Sequence, residues 1–145
     1  MTAAAAGYSG KALPAKLGFA DGMAAAFVAL PAELSDLADC VTFGQVDRYP
    51  AWAGLRGRSE QYDAIHAFTT SKSEIDTGMP TLERAIVRDG MIWVSWPKKA
   101  SGVETDASEN VVREAALKGD LVDVKVAAVD AIWSGLKLVI RKERR

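Results

Sequence analysis

The feature that most constrains this chain is a repeated alternation of short apolar runs with helical segments, closed by two strand-like runs in a row. Met23 to Leu30 is almost continuously apolar, the mark of a strand covered on both faces. Pro31 then suits the first turn of a short helix carrying Leu34 and Leu37. Asp39 to Phe43 reads as a second short strand. Tyr62 to Phe68 and Met91 to Trp96 read as the third and fourth. Between these two, Thr69-Thr70-Ser71 offers N-cap hydroxyls to a helix. Gly78 and Pro80 are expected to break that helix in two, and Asp89-Gly90 to end it. Asp106 and Glu109 have capping-box spacing ahead of a further helix that buries Val111, Val112 and Ala115. Val122, Val124 and Val126 alternate with Asp123 and Lys125, which predicts a half-exposed edge strand. Leu136 to Ile140 is more continuously apolar and reads as interior. The short link Asp130 to Ser134, which includes Trp133, makes these last two an antiparallel hairpin.

Strands separated by helices imply a parallel sheet with right-handed crossovers. The expected spatial order is 2-1-3-4-6-5, with strand six antiparallel between strands four and five. The switch point then lies between strands one and three. Outside this core, Leu13 and Leu17 share one face of a short helix ended by Gly18. Residues 44–61 have weak periodicity and read as an irregular loop that Trp52 and Leu55 pin to the core. Residues 1–10 are small and polar and read as a flexible segment ahead of a single domain over 11–145.

Composition narrows the function classes. The 145 residues are 49% hydrophobic and 26% charged, with a formal net charge of −1. That balance does not support bulk attraction to nucleic acid or to a membrane surface. The basic excess at Lys137, Arg141, Lys142, Arg144 and Arg145 reads as a solvated tail. The start has no basic n-region and does not read as a signal peptide, and no apolar run approaches a membrane span. Cys40 is the single cysteine and His66 the single histidine. An intrachain disulfide and a zinc site of the usual nitrogen and sulfur ligands are therefore both excluded, and no metal is expected. A cytoplasmic location follows as the expectation. His66 lies between Ile65 and Ala67 in an apolar strand, which favours a core histidine with a satisfied ring over a catalyst. No nucleophile elbow and no Walker loop occurs.

The last eighty or so residues resemble the C-terminal half of class I methyltransferases. Tyr62-Asp63-Ala64-Ile65, then Leu82-Glu83-Arg84-Ala85 through Asp89-Gly90-Met91-Ile92-Trp93-Val94, follow that scheme of strand, helix and strand before a closing antiparallel hairpin. The whole chain is also similar to an uncharacterised bacterial family, the domain of unknown function 3052. The residues that carry this are Gly7-Tyr8-Ser9-Gly10-Lys11, Lys16-Leu17-Gly18, Gly90 through Gly102, Glu109 through Glu114, and Trp133-Ser134-Gly135-Leu136-Lys137. The resemblance implies a three-layer, Rossmann-like α/β fold with a reduced methyltransferase-like sheet that lacks one strand–helix unit. It brings no known activity. The methyltransferase pattern also implies a glycine-rich turn after strand one and an acid at the end of strand two that holds the cofactor's ribose. Here strand one leads into Leu30-Pro31-Ala32-Glu33-Leu34-Ser35 with no glycine, and Asp47 lies several residues late. No cofactor is therefore expected, S-adenosylmethionine included.

The best candidate site from sequence is an anion cradle. Lys98, Lys99, Ser101 and Gly102 follow strand four, and Thr70, Ser71 and Lys72 follow strand three. Ligands in open α/β sheets bind outside the carboxyl ends of the strands. Two loops bearing lysines and hydroxyls there would hold a phosphate or carboxylate. The leading expectation is accordingly a non-catalytic or degenerate methyltransferase-like domain that binds a small anionic ligand, a nucleotide or phosphorylated metabolite. One alternative is a protein-interaction or structural module, such as a homodimer, with Trp133 as an anchor. A second is an S-adenosylmethionine-dependent methyltransferase with an atypical cofactor site.

Overall fold

The computed structural model describes residues 13–145, so the expectation of a flexible segment over 1–10 lies outside the described residues. In chain order the elements are α1 (Leu13–Leu17), β1 (Ala24–Val28), a 3-10 helix (Ala32–Asp39), β2 (Gln45–Tyr49) and a 3-10 turn (Trp52–Leu55). There follow β3 (Tyr62–Phe68), α2 (Lys72–Ala85), β4 (Ile86–Pro97), α3 (Glu109–Leu117), β5 (Leu121–Ala128) and β6 (Trp133–Ile140). One six-stranded sheet runs in the order β2-β1-β3-β4-β6-β5. The first four strands in that order are parallel, and β6 is antiparallel to both β4 and β5. This is the order and orientation expected from the sequence.

Side chains alternate across the sheet because strand residues point to opposite faces in turn. Ala26, Val28, Ile65, Ala67, Ile92 and Val94 pack with Ile75, Met79 and Leu82 of α2, with Val112 of α3, and with Trp52. Ala25, Phe27, Ala64, Phe68 and Trp93 pack on the other face with Leu13, Leu17 and Phe19 and with Leu34 and Leu37 of the 3-10 helix. Trp52 and Leu55 are both fully buried, as expected of residues that pin a loop.

Several local expectations are corrected. The second strand is Gln45–Tyr49, inside the stretch read as a loop, and Asp39–Phe43 is not a strand. Asp39 ends the 3-10 helix, and Phe43 turns in to meet Phe19 and Phe27 edge-on. β2 is an edge strand with no buried residue, so it carries no apolar signature. Helix α2 is not broken: it runs through Pro80, held by its buried face of Ile75, Met79, Leu82 and Ala85. Nor does it reach Asp89-Gly90. β4 already begins at Ile86 and absorbs that dipeptide in an irregularity between the pairs Tyr62–Ile86 and Ala64–Met91. A Cβ on Gly90 would lie 3.0 Å from the Asp63 carbonyl oxygen, so the close strand approach there favours glycine. Ser108, not Asp106, caps α3. Trp133 is not in a turn but is the first residue of β6, and its ring meets Phe68 edge-on at 5.3 Å.

Candidate active site

The parallel strands β1, β2, β3 and β4 deliver their C-terminal ends to one rim. At that rim β1 and β3 part company. The chain leaving β1 enters the 3-10 helix, whose Leu34, Leu37 and Ala38 cover one face of the sheet. The chain leaving β3 enters α2, which covers the other. Neighbouring strands whose connections depart to opposite faces leave a crevice, and this is where open α/β sheets hold ligands.

At the β1 side of this crevice the backbone is strained. Ala29, the residue after β1, has φ of 56°, in the left-handed region that costs an L-residue about 1–3 kcal/mol. Its amide donates to the Tyr49 carbonyl at 2.8 Å, extending the ladder between β1 and β2 by one rung while the chain turns away. Phe27, Ala29, Leu30, Arg48, Tyr49 and Pro50 line the resulting cleft of about 490 Å³. That volume lies within the range of small-molecule sites, about 300–1,000 Å³. The wall is about as polar as it is apolar, and Arg48 supplies the charge.

Asp47 sits one residue before Arg48 but faces the other way. Its Oδ2 accepts from Tyr62 Oη at 2.5 Å and from Gln45 Nε2 at 2.8 Å, and Tyr49 Oη lies 2.5 Å from Tyr62 Oη. Burial and these partners push the Tyr62 phenol well above its ordinary range, so it stays a donor. The only acid near the end of β2 is thus tied into a phenol network beneath the sheet.

The loops singled out from sequence do meet. Thr105 Oγ1 donates to the Thr70 carbonyl at 2.7 Å, and the Lys72 amide donates to Asp106 Oδ1 at 2.7 Å. Their side chains bind the protein itself. Lys72 Nζ pairs with Asp76 at 2.8 Å, and Lys98 Nζ donates to the Asp130 carbonyl at 2.8 Å. Ser71 Oγ caps α2 by accepting from the Glu74 amide. Ser101 Oγ donates to the Lys98 carbonyl at 2.6 Å and accepts from the Val103 amide. Lys99 and Gly102 are exposed.

Of the remaining reactive groups, His66 is in the core and Cys40 is half-buried against it. His66 is buried, its Nε2 is 2.8 Å from Ser95 Oγ, and its ring stacks on Phe68 at 4.2 Å. Its Nδ1 has no partner among the described residues. Burial pushes the Cys40 thiol up to about 11, which keeps it protonated and weakly nucleophilic. No group of three metal-ligating side chains occurs among the described residues, and no described helix is long and apolar enough to cross a membrane. Sequence reasoning missed Ala29 and Arg48. The one available signal for them was their place directly after a fully buried strand and at the end of its edge neighbour.

Comparison with known proteins gives the fold its context. No family model matches the chain, and no curated protein matches it. Solved structures do. A methyltransferase dependent on S-adenosylmethionine (SAM) from Aquifex aeolicus is 16% identical, with a TM-score of 0.62 over 87% of this chain and 86% of that one. The magnesium protoporphyrin IX methyltransferase of Synechocystis, solved with SAM bound, is 13% identical, with a TM-score of 0.60 over 88% and 74%. A cyclase is 11% identical, with a TM-score of 0.61 over 87% and 77%. The fold is therefore methyltransferase-like. Two expectations are corrected by these neighbours. The leading one, a non-catalytic binder of a small anion, is not what these neighbours are: the first two are methyltransferases. The exclusion of SAM also falls, because one structure with this fold is of a SAM-dependent enzyme and another contains SAM.

Proposed function

We propose that this protein binds SAM in the cleft between the ends of β1 and β2 and is a methyltransferase with cofactor contacts of its own. The observation that carries the reading is the left-handed turn at Ala29, which borders a cleft between the C-terminal ends of β1 and β2, on the ligand rim beside the switch point. The cleft suits an adenosyl group in place and size, with a wall that mixes apolar and polar surface. Phe27, Leu30 and Pro50 would pack against the nucleoside and exclude water from it, and Arg48 would meet its polar side. Ala29 makes the turn that glycine makes in dinucleotide folds, at the cost of a methyl group on the ligand side. When bound, SAM supplies an electrophilic methyl group on a sulfonium sulfur. Within the same reading we assign the chain to the bacterial domain of unknown function 3052 on its Gly90–Gly102 and Trp133–Lys137 segments, and place it in the cytoplasm, where a single cysteine is at home.

Ala29→Gly tests both the turn and the site. It relieves the left-handed strain and is expected to stabilise the fold by up to about 1 kcal/mol, read as a higher urea midpoint. It also removes the methyl from the path of the backbone's approach to the ligand. Isothermal titration calorimetry is therefore expected to show SAM binding to the wild type and several-fold tighter binding to Ala29→Gly. Absence of heat with millimolar SAM for both proteins would overturn the reading.

A further inference from the structure

We infer that Lys137 is a nucleophilic amine that holds a small uncharged aldehyde as an imine, in a cavity at the opposite end of the sheet from the cofactor cleft. Lys137 lies on β6, directly opposite Lys125 of the edge strand β5. Like charges so placed repel and destabilise a sheet. No carboxylate relieves them: neither lysine forms an ion pair among the described residues. The carbonyls at the end of α1 are taken as well. Lys125 Nζ donates to the Lys16 carbonyl at 2.9 Å, and Trp93 Nε1 donates to that of Leu17 at 2.8 Å. Lys137 Nζ lies beside Gly18, where a Cβ would be 3.8 Å from it and 3.5 Å from the Met91 sulfur. Gly18 has φ of 82°, so the position favours glycine and the amine keeps its space.

Half-buried Lys137 lines a cavity of about 590 Å³, a volume that holds a small molecule. Met91 and Val139 line it with Lys137, and Asp21, Asp63 and Asp89 supply its carboxylates. Two of these acids have work elsewhere: Asp63 Oδ2 accepts from the Ala24 amide and Asp21 Oδ1 from the Thr42 amide, each at 2.8 Å. Burial, and then the ammonium of Lys125, hold the Lys137 amine below the ordinary range for lysine. A lysine that is desolvated or set beside a second cation keeps a free lone pair nearer neutral pH, which is how amines are prepared to attack carbonyls. The step balances without a co-reactant. The amine lone pair attacks the carbonyl carbon, the carbonyl oxygen takes the two amine protons, and it leaves as water when the C=N bond forms. Three carboxylates around one amine repel an anionic carbonyl compound, which leaves uncharged aldehydes as the class admitted.

The test treats the folded protein at pH 7 with propanal and sodium cyanoborohydride, which reduces each imine to a stable alkylamine, and follows every lysine by peptide mass spectrometry. Lys137 is expected to be alkylated several-fold faster than the exposed Lys99 and Lys118. The preference should vanish in urea, where all lysines are alike. Lys125→Gln removes the neighbouring charge and should bring Lys137 back towards the exposed lysines, while Lys125→Arg should keep the wild-type rate. Glyoxylate, an anionic aldehyde, should show a weaker preference for Lys137 than propanal does. Alkylation of Lys137 no faster than that of Lys99 and Lys118 would overturn the site. A Lys137 rate that ignores Lys125→Gln would overturn the part given to the lysine pair, and a stronger preference with glyoxylate would overturn the ligand class.

Discussion

Acidification from pH 7 to 4.5 should cost the wild-type fold roughly 2–3 kcal/mol through His66 alone, and His66→Gln should remove that part of the loss. The ring is buried between β1 and β4, bonded only to Ser95 and stacked on Phe68, with no acid beside it to support a charge. Burial therefore lowers its pKa from the ordinary 6.5 to about 3. Between those two values the unfolded chain takes up a proton that the folded chain refuses. Stability is then at its plateau above about pH 6.5 and falls with decreasing pH by about 1.4 kcal/mol per unit until the folded value is reached. Glutamine at position 66 can still meet the Ser95 hydroxyl but does not titrate in this window. Urea titrations at the two pH values measure the difference. Equal acid losses in wild type and His66→Gln would show that the ring carries no such penalty.

Trp52→Ala should be the most damaging single change, costing about 3–5 kcal/mol, a large share of the ~5–15 kcal/mol that holds a domain together. The indole is fully buried against α2, so closely that a Cβ on Gly78 would lie 2.6 Å from its Cε3. Its Nε1 donates at 3.0 Å to the carbonyl of Phe68, the last residue of β3. The substitution therefore opens a large cavity and also unpins the strand end at the rim. Trp52→Phe keeps most of the packing and loses the hydrogen bond, so its cost should be nearer 1–2 kcal/mol. Urea unfolding monitored by far-ultraviolet circular dichroism ranks the three proteins. An alanine variant within ~1 kcal/mol of wild type would mean that the 52–55 turn is not part of the cooperative core.

What could be read in advance followed burial. β1, β3 and β4 are largely covered on both faces and β6 fully on one, and their apolar runs placed them and the order of the sheet correctly. β2 is at the edge, and Gln45-Val46-Asp47-Arg48-Tyr49 is a strand that faces water, so no apolar period marks it. The apolar residues of Asp39–Phe43 suggested a strand but instead set Phe43, half-buried, against Phe19 and Phe27. That misplacement hid the site. With strand two set too early, Asp47 looked merely late, and Arg48 and Tyr49 vanished into a loop. Ala29 was hidden for a different reason: a left-handed backbone is signalled in sequence by glycine, and this chain adopts it with alanine. The lysine loops show the converse limit. Their composition and their position on the rim were legible, but whether Lys72 and Lys98 face a ligand or Asp76 and Asp130 is decided only by packing.

The central claim is that the β1–β2 cleft is the cofactor site, and amide chemical shifts locate a ligand without reference to any activity. In a ¹⁵N-labelled protein titrated with SAM, saturable shifts are predicted at Ala29, Leu30, Arg48 and Tyr49, with little change at the Lys98–Gly102 loop. No saturable shift at millimolar SAM, or shifts confined to Lys72 and the Lys98–Gly102 loop, would contradict it.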